Sequence, residues 1–184
     1  SSRDRFGAYH DIEADVTDRL LVSAAARYED LSDFGDTFNG KKATRYRISD
    51  AFAFRAAVST GFRAPTLGQS NLTRSSTTFA NGQLVEGLTI ASTNPIAEFF
   101  GGGQLDAEDA LNVSIGFTAA LGYLDLTFDY FDIDVDDRGS LTSATIGDTE
   151  RAQLIAAGNL GASTLSQVQF FVNDFDTNTS GFDV

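Results

Sequence analysis

Gly122-Tyr123-Leu124-Asp125-Leu126-Thr127-Phe128-Asp129-Tyr130-Phe131-Asp132-Ile133-Asp134-Val135 decides the fold. Its even positions run Leu124, Leu126, Phe128, Tyr130 and then turn to Asp132, Asp134 and, one step on, Asp136. Period-2 alternation marks a strand with two different faces. One of those faces changes solvent partway along. A strand leaving a bilayer has this pattern, with apolar residues against lipid, an aromatic at the interface and carboxylates in water beyond it. Asp125, Thr127 and Asp129 then fall on the opposite, lumen-facing parity. A soluble sheet whose strand overhangs its core gives the same pattern from this segment alone.

Other stretches repeat the alternation. Leu111, Val113, Ile115 and Phe117 oppose Asn112, Ser114, Gly116 and Thr118 without exception. Phe52, Phe54, Ala56 and Val58 oppose Ala53, Arg55, Ala57 and Ser59, and Leu20, Val22, Ala24, Ala26 and Tyr28 oppose a mostly polar parity. Weaker strands are expected at His10 to Val16, Thr44 to Ser49 and Val168 to Asn173. This gives roughly seven antiparallel strands and an all-β class.

Connections alternate in length. Short turns are expected at Thr17-Asp18-Arg19, Ser49-Asp50-Ala51 and Ala119-Ala120-Leu121-Gly122, with long loops from Leu31 to Lys42, Gly61 to Asp109 and Asp136 to Gln167. Compact soluble domains rarely carry such loops, whereas outer-membrane barrels have short turns at one rim and long loops at the other. The last loop is expected to hold a helix from Asp148 to Ala157, with Asp148 as its N-cap and Gly158 at its end.

Composition excludes several function classes. With no Cys, no Met and one His, the chain has no thiolate nucleophile, disulfide framework or Cys-based metal site. Thirteen basic residues against 26 acidic ones argue against nucleic acid, whose binders need a Lys/Arg surface. No run reaches the eighteen or so apolar residues of a membrane helix, while a mean hydropathy of −0.12 suits alternating barrel strands. The opening Ser1-Ser2-Arg3-Asp4 carries neither an initiator Met nor a signal-peptide core, and a fragment is expected.

Several phrases then resemble the barrel of TonB-dependent outer-membrane receptors. Phe54-Arg55-Ala56-Ala57-Val58-Ser59-Thr60-Gly61-Phe62-Arg63-Ala64-Pro65-Thr66-Leu67 is similar to the family's Arg-Ala-Ser-x-x-Thr-Gly-Phe-Arg-Ala-Pro-x-Leu phrase, a strand end before an extracellular loop. Ala26-Arg27-Tyr28-Glu29-Asp30 with Ser32-Asp33-Phe34-Gly35 supports it, as does Phe128-Asp129-Tyr130-Phe131-Asp132-Ile133-Asp134-Val135-Asp136-Asp137-Arg138. Gly103-Gln104-Leu105-Asp106-Ala107-Glu108-Asp109-Ala110 departs from the family by Ala107 for Pro and Ala110 for Ser. Val172-Asn173 with Thr179-Ser180-Gly181-Phe182-Asp183-Val184 completes the order.

The resemblance implies a 22-stranded transmembrane β-barrel with long extracellular loops, of which residues 1–184 are a part without plug or closing strands. It implies an active transporter in the cell outer membrane for a scarce nutrient such as a siderophore, cobalamin or carbohydrate. Its partners would be that small ligand, membrane lipid, and the TonB energy-coupling complex reached through the plug. The competing expectation is a secreted soluble β-sheet binding module of the adhesin kind.

No catalytic, cofactor or metal residues are expected. His10 has no partner at ligand spacing, and Gly101-Gly102-Gly103 precedes a strand and so offers no helix N-terminus to a phosphate. Counting from Asp132 as an EF-hand loop puts Asp137 where Gly is needed and Ser143 where a bidentate Glu is needed. Arg27, Glu29, Arg45, Arg47, Arg55, Asp125 and Asp129 read as a hydrated lumen wall. Arg63 and Arg74, in the loop after the most family-like strand, are the candidate contacts for an anionic ligand.

Overall fold

The computed structural model of the chain describes residues 2–80 and 83–184, which form two compact units. The first, here called the wall, comprises Arg3–Arg63, Glu108–Asp136 and Asp176–Val184; the second, the loop unit, spans Ala64–Ala107 and Asp137–Phe175.

The wall is built from β1 (Arg5–Thr17), β2 (Leu20–Leu31), β3 (Gly35–Arg47), β4 (Phe52–Arg63), β7 (Glu108–Leu121), the first part of β8 (Leu124–Thr145) and the last part of β9 (Gln167–Asp183), hydrogen-bonded in that order. Neighbouring strands from β1 to β8 in this order pair antiparallel. Phe182 meets Phe128 and Tyr130, while Asn178 meets Asp132 and Asp134, so β9 runs antiparallel to β8 as well.

Register converts the alternation into rows. Leu20, Tyr46, Phe54, Phe117 and Phe128 lie side by side across five strands. Ala14, Val22, Thr44, Ala56, Ile115 and Tyr130 form the next row. Because side chains at i and i+2 share a face, these rows lie on one, mainly apolar, face of the sheet. The other parity carries Arg27, Glu29, Arg45, Arg55, Asn112, Ser114, Asp125 and Asp129.

Short turns close one end. Thr17 Oγ1 accepts from the backbone N–H groups of Arg19 and Leu20 at 3.2 and 3.0 Å, and Ser49 Oγ accepts from Ala51 at 3.3 Å. Gly122 supplies the positive φ, 69°, that a two-residue turn between Leu121 and Leu124 requires at its first position.

At the other end the expected loop from Leu31 to Lys42 is instead strand. β2 runs to Leu31 and β3 starts at Gly35, leaving three residues of turn with Gly35 at φ 110°. Gly35-Asp36-Thr37-Phe38-Asn39-Gly40 looks loop-like by composition, but ladder hydrogen bonds use only backbone, and Leu31↔Gly35 through Ala26↔Gly40 are fully paired. The β3–β4 ladder opens at the same level, where the Thr60 hydroxyl accepts from Gly40 N–H at 3.0 Å in place of a backbone partner.

The two longer loops are also structured, as a unit with its own core. The loop unit holds α1 (Leu67–Asn71), the hairpin β5 (Arg74–Ala80) and β6 (Gln83–Thr89), α2 (Pro95–Phe99), α3 (Asp148–Ala156) and a 3-10 turn at Leu160–Ser163. The nine strands among the described residues thus exceed the roughly seven expected because this hairpin lies within the loop expected from Gly61 to Asp109. β6 pairs parallel with the start of β9 through Gly87↔Gln167, Leu88↔Val168 and Thr89↔Gln169.

Ile90, Ile96, Leu154, Val168 and Phe170 form the centre of its core, where Phe170 is 1% exposed and Leu154 fully buried. Arg151 binds this core together from the polar side, donating to the carbonyls of Ser163 at 2.7 Å, Ile146 at 3.2 Å and Ala162 at 3.4 Å. The expected helix is α3, but its N-cap is Gly147, which makes no side-chain cap bond; Asp148 is its first residue and contributes as a first-turn acid. Gly158 follows with φ 91°, as a helix-ending glycine does.

Candidate functional site

Apolar residues normally leave water, yet on the wall's apolar face they do not. Phe54, Phe117, Phe128, Ile115 and Leu126 are 37–47% exposed, and among the described residues the wall buries only Leu31 and Ala119 of its apolar side chains. Monomeric soluble proteins rarely show a contiguous apolar surface of this extent. Aromatic rows bound it: Tyr28 and Phe38 are paired near the turn at residues 32–34, and Tyr46, Phe54, Phe117 and Phe128 lie near the short turns at the other end of the wall. Phe52 stacks on Phe117 with ring centroids 5.5 Å apart. Phe38 and Tyr46 are eight residues apart on β3, about 27 Å of strand, or roughly 20 Å of height at the tilt usual in barrels.

Where the face ends on β8, the change of solvent read from the sequence has a structural form. Phe182 packs between Phe128 and Tyr130 at 5.4 and 5.2 Å. One row further on, the Tyr130 hydroxyl donates to Asp132 at 3.0 Å, and the Asn178 amide donates to Asp132 at 2.7 Å and Asp134 at 2.6 Å. A single side-chain amide thus holds two carboxylates at alternate positions. Among the described residues no group of three or more His, Asp or Glu is placed to hold a metal ion.

The opposite face is polar and internally paired. Arg55 on β4 makes a two-pronged ion pair with Asp129 on β8, its Nε 2.8 Å from Oδ1, reaching across β7. This crossing is possible because Gly116 lies between them: a Cβ there would lie 2.8 Å from Arg55 Nε and inside the Asp129 carboxylate. Glu29, 8% exposed, accepts from Arg27 at 2.6 Å and from Arg5. Arg63, at the end of β4, shares its Nη1 between both carboxylate oxygens of Glu108 at 3.0 Å each.

The sequence-predicted ligand contacts therefore differ from one another. Arg63 belongs to the wall and is already engaged by Glu108, a partner 45 residues away that the phrase around Arg63 does not signal. Arg74 opens β5 in the loop unit and is exposed. His10 lies on the wall's apolar face opposite Ala26. Gly101 and Gly102 follow α2 as its exit turn; Gly101 has φ 93°, and a Cβ on Gly102 would come within 2.9 Å of the Ala97 carbonyl.

Sequence reasoning missed Asn173. Its side chain accepts from Asp106 N–H at 2.9 Å, donates to Asp106 O at 3.1 Å and also donates to the carbonyl of Asp137, a residue with φ 54°. One amide so ties the segment before β7, the left-handed step in β8 and β9 together within the loop unit. The sequence reading used Asn173 only as part of a family phrase, and an Asn directly before Asp174 gives no signal for that role.

At the rim, Arg3 grips Asp33 through Nε to Oδ1 at 2.6 Å and Nη2 to Oδ2 at 3.0 Å. The Arg3 hydrogen bond outweighs partial desolvation and holds the Asp33 carboxyl below the usual carboxylate range. A depressed carboxyl stabilises the folded turn fully above its unfolded value, near 4, and loses that contribution as pH falls through the folded value. Amide exchange at Phe34, measured relative to an Asp33→Asn variant, is therefore expected to accelerate below about pH 4. Equal pH profiles in the two proteins would remove the ion pair from the account of this turn.

A family model described as TonB dependent receptor-like, beta-barrel matches residues 1–184. Among solved structures, the siderophore receptor PirA from Pseudomonas aeruginosa superposes with a TM-score of 0.72 at 17% identity, covering 98% of this chain and 30% of that one. PirA from Acinetobacter baumannii gives 0.65 at 16% identity, covering 98% of this chain and 25% of that chain. A variant of the ferric enterobactin receptor PfeA from Pseudomonas aeruginosa, in complex with enterobactin, gives 0.70 at 14% identity, with 98% and 24% coverage. The chain thus spans less than a third of the length of these solved receptors. No curated protein matches it in sequence.

Proposed function

The chain belongs to the TonB-dependent receptor family as part of its β-barrel, and from that premise we propose that the full-length protein is an outer-membrane active transporter. It takes up a scarce nutrient of the siderophore, cobalamin or carbohydrate kind, with energy relayed by the TonB complex to a plug that this chain does not include. The observation that carries this reading is the apolar face: Phe54, Phe117, Phe128 and their row neighbours are exposed on one side of a sheet whose other side is ion-paired and polar. Lipid against that face takes the still exposed 37–47% of each of these side chains out of water, about 1 kcal/mol apiece. The Arg55–Asp129 side then faces the lumen, and the loop unit is extracellular.

In this reading the loop unit selects the ligand. Arg74 is the better of the two candidate contacts, because Arg63 is held by Glu108 and serves to fix the end of β4. An exposed guanidinium suits an anionic chelate through charge-assisted, two-pronged hydrogen bonds. Arg74→Ala in the full-length receptor is expected to weaken uptake of such a ligand, while Arg63→Ala loosens the strand end.

The test of the parent reading is fractionation of native cells with an antibody against this chain, on gels with and without boiling. A large heat-modifiable band in the outer membrane is the expected result. A band near 20 kDa in a soluble fraction would replace the transporter with a secreted binding module.

A further inference from the structure

On the wall's apolar face one cation stands out. Among the paired residues of β1, β2, β3, β4 and β7 on this parity, Lys42 is the sole Lys or Arg, flanked across the ladders by Ala24 and Val58. It is exposed, and it lies four residues from Phe38 and four from Tyr46. A charge in the middle of a lipid-facing strand is costly unless something offsets it.

The surface around Lys42 is concave. Toward the loop side a cavity of about 630 Å3 has its floor on Ala24, Ala26 and Gly40 and its walls on Ile12, Phe38 and Val58, with His10 at its upper edge. Toward the short turns a second concavity, about 350 Å3, is lined by Val22, Thr44, Ala56, Val113 and Ile115. Lys42 lines both. Ala24, Ala26, Gly40 and Ala56 leave room here that the Phe and Tyr side chains of the Tyr28–Phe38 and Tyr46–Phe54 rows would fill. The opening of the β3–β4 ladder at Gly40 and Thr60 lies in its upper part.

We infer that this groove binds one anionic membrane lipid, with an acyl chain along the Ala24–Ala56 floor and the headgroup phosphate against Lys42 and His10. The inference rests on the barrel reading, which puts this face in lipid. Charge complementarity selects the occupant. In a chain of net charge −13, the groove is lined by His10, Lys41 and Lys42, of which His10 and Lys42 lie on the apolar-face parity, and by no carboxylate. His10 lies opposite Ala26, one row below the Tyr28–Phe38 row, so a phosphate there is close to the loop-side interface. A lysine stem spans roughly one further row, about 7 Å of strand, so its ammonium reaches the same level while its methylenes stay in the groove.

The test uses the full-length receptor, first shown to be heat-modifiable and outer-membrane, so that failure of the barrel reading is seen separately. It is reconstituted in bilayers of phosphatidylcholine and phosphatidylglycerol, and retained lipids are counted by native mass spectrometry. Wild type is expected to retain phosphatidylglycerol over phosphatidylcholine by roughly fivefold. Lys42→Gln should bring that ratio near one, Lys42→Arg should keep it, and Ala26→Leu should lose retention of both lipids by filling the floor. A Lys42→Gln receptor with the wild-type ratio, or cross-linking that puts a second copy of the receptor over the groove, overturns the proposal.

Discussion

Phe170→Ala is expected to unfold the loop unit while leaving the barrel wall assembled. Phe170 is 1% exposed and belongs to the cluster with Ile90, Leu154 and Val168, the only group of fully buried large side chains among the described residues. Removing a buried Phe side chain costs about 3–5 kcal/mol, because the hole left behind adds to the lost transfer free energy. A unit with so small a core has little reserve against such a loss. Limited trypsin digestion of the full-length receptor provides the measurement. Arg151, which clamps three carbonyls in this unit, should be cut roughly a hundredfold faster or more in the variant, since 1.4 kcal/mol corresponds to a tenfold change in the open population. The heat-modifiable band should persist, because the wall contributes none of these residues. Unchanged cleavage in Phe170→Ala would mean that the cluster does not hold the loops.

How the loop unit escaped sequence reading has a physical reason. Period 2 detects a strand only where its two faces meet different solvents. Leu111–Phe117 and Leu124–Tyr130 do, and their strands, faces and change of solvent were all legible. Ile90, Ile96, Leu154 and Phe170 come from four separate segments and bury against one another, so no single window shows a period. Gly35–Gly40 was obscured differently, since its Gly, Asp and Asn look loop-like while the ladder that extends it uses backbone pairing alone. Parity put Arg55 and Asp129 on one face, but the bond between them spans 74 residues and crosses an intervening strand. Lys42 was visible as a letter, but it stood at the end of the expected Leu31–Lys42 loop, and its place on the apolar face follows only once β3 runs from Gly35.

That crossing makes the second large effect a matter of sign. A glycine inside a strand is normally a weakness, and a β-branched residue in its place is worth up to about 1 kcal/mol. At Gly116 the expectation reverses. Its missing Cβ leaves the space through which Arg55 reaches Asp129, so Gly116→Val must displace the guanidinium and the carboxylate together. The overpacking costs about 1–3 kcal/mol, whereas the pair itself, with Arg55 partly open to solvent, contributes less than about 1 kcal/mol. The glycine is therefore more sensitive than either charge. A double-mutant cycle separates these terms: Gly116→Val is expected to lower the denaturant midpoint of the full-length receptor in micelles, yet to leave it unchanged or raise it in an Arg55→Ala/Asp129→Ala background. Equal shifts in both backgrounds would show that Gly116 is needed by the strand itself. Opposite shifts would assign its role to the ion pair that crosses it, and so assign the polar face a fixed arrangement of charge in addition to its polar composition.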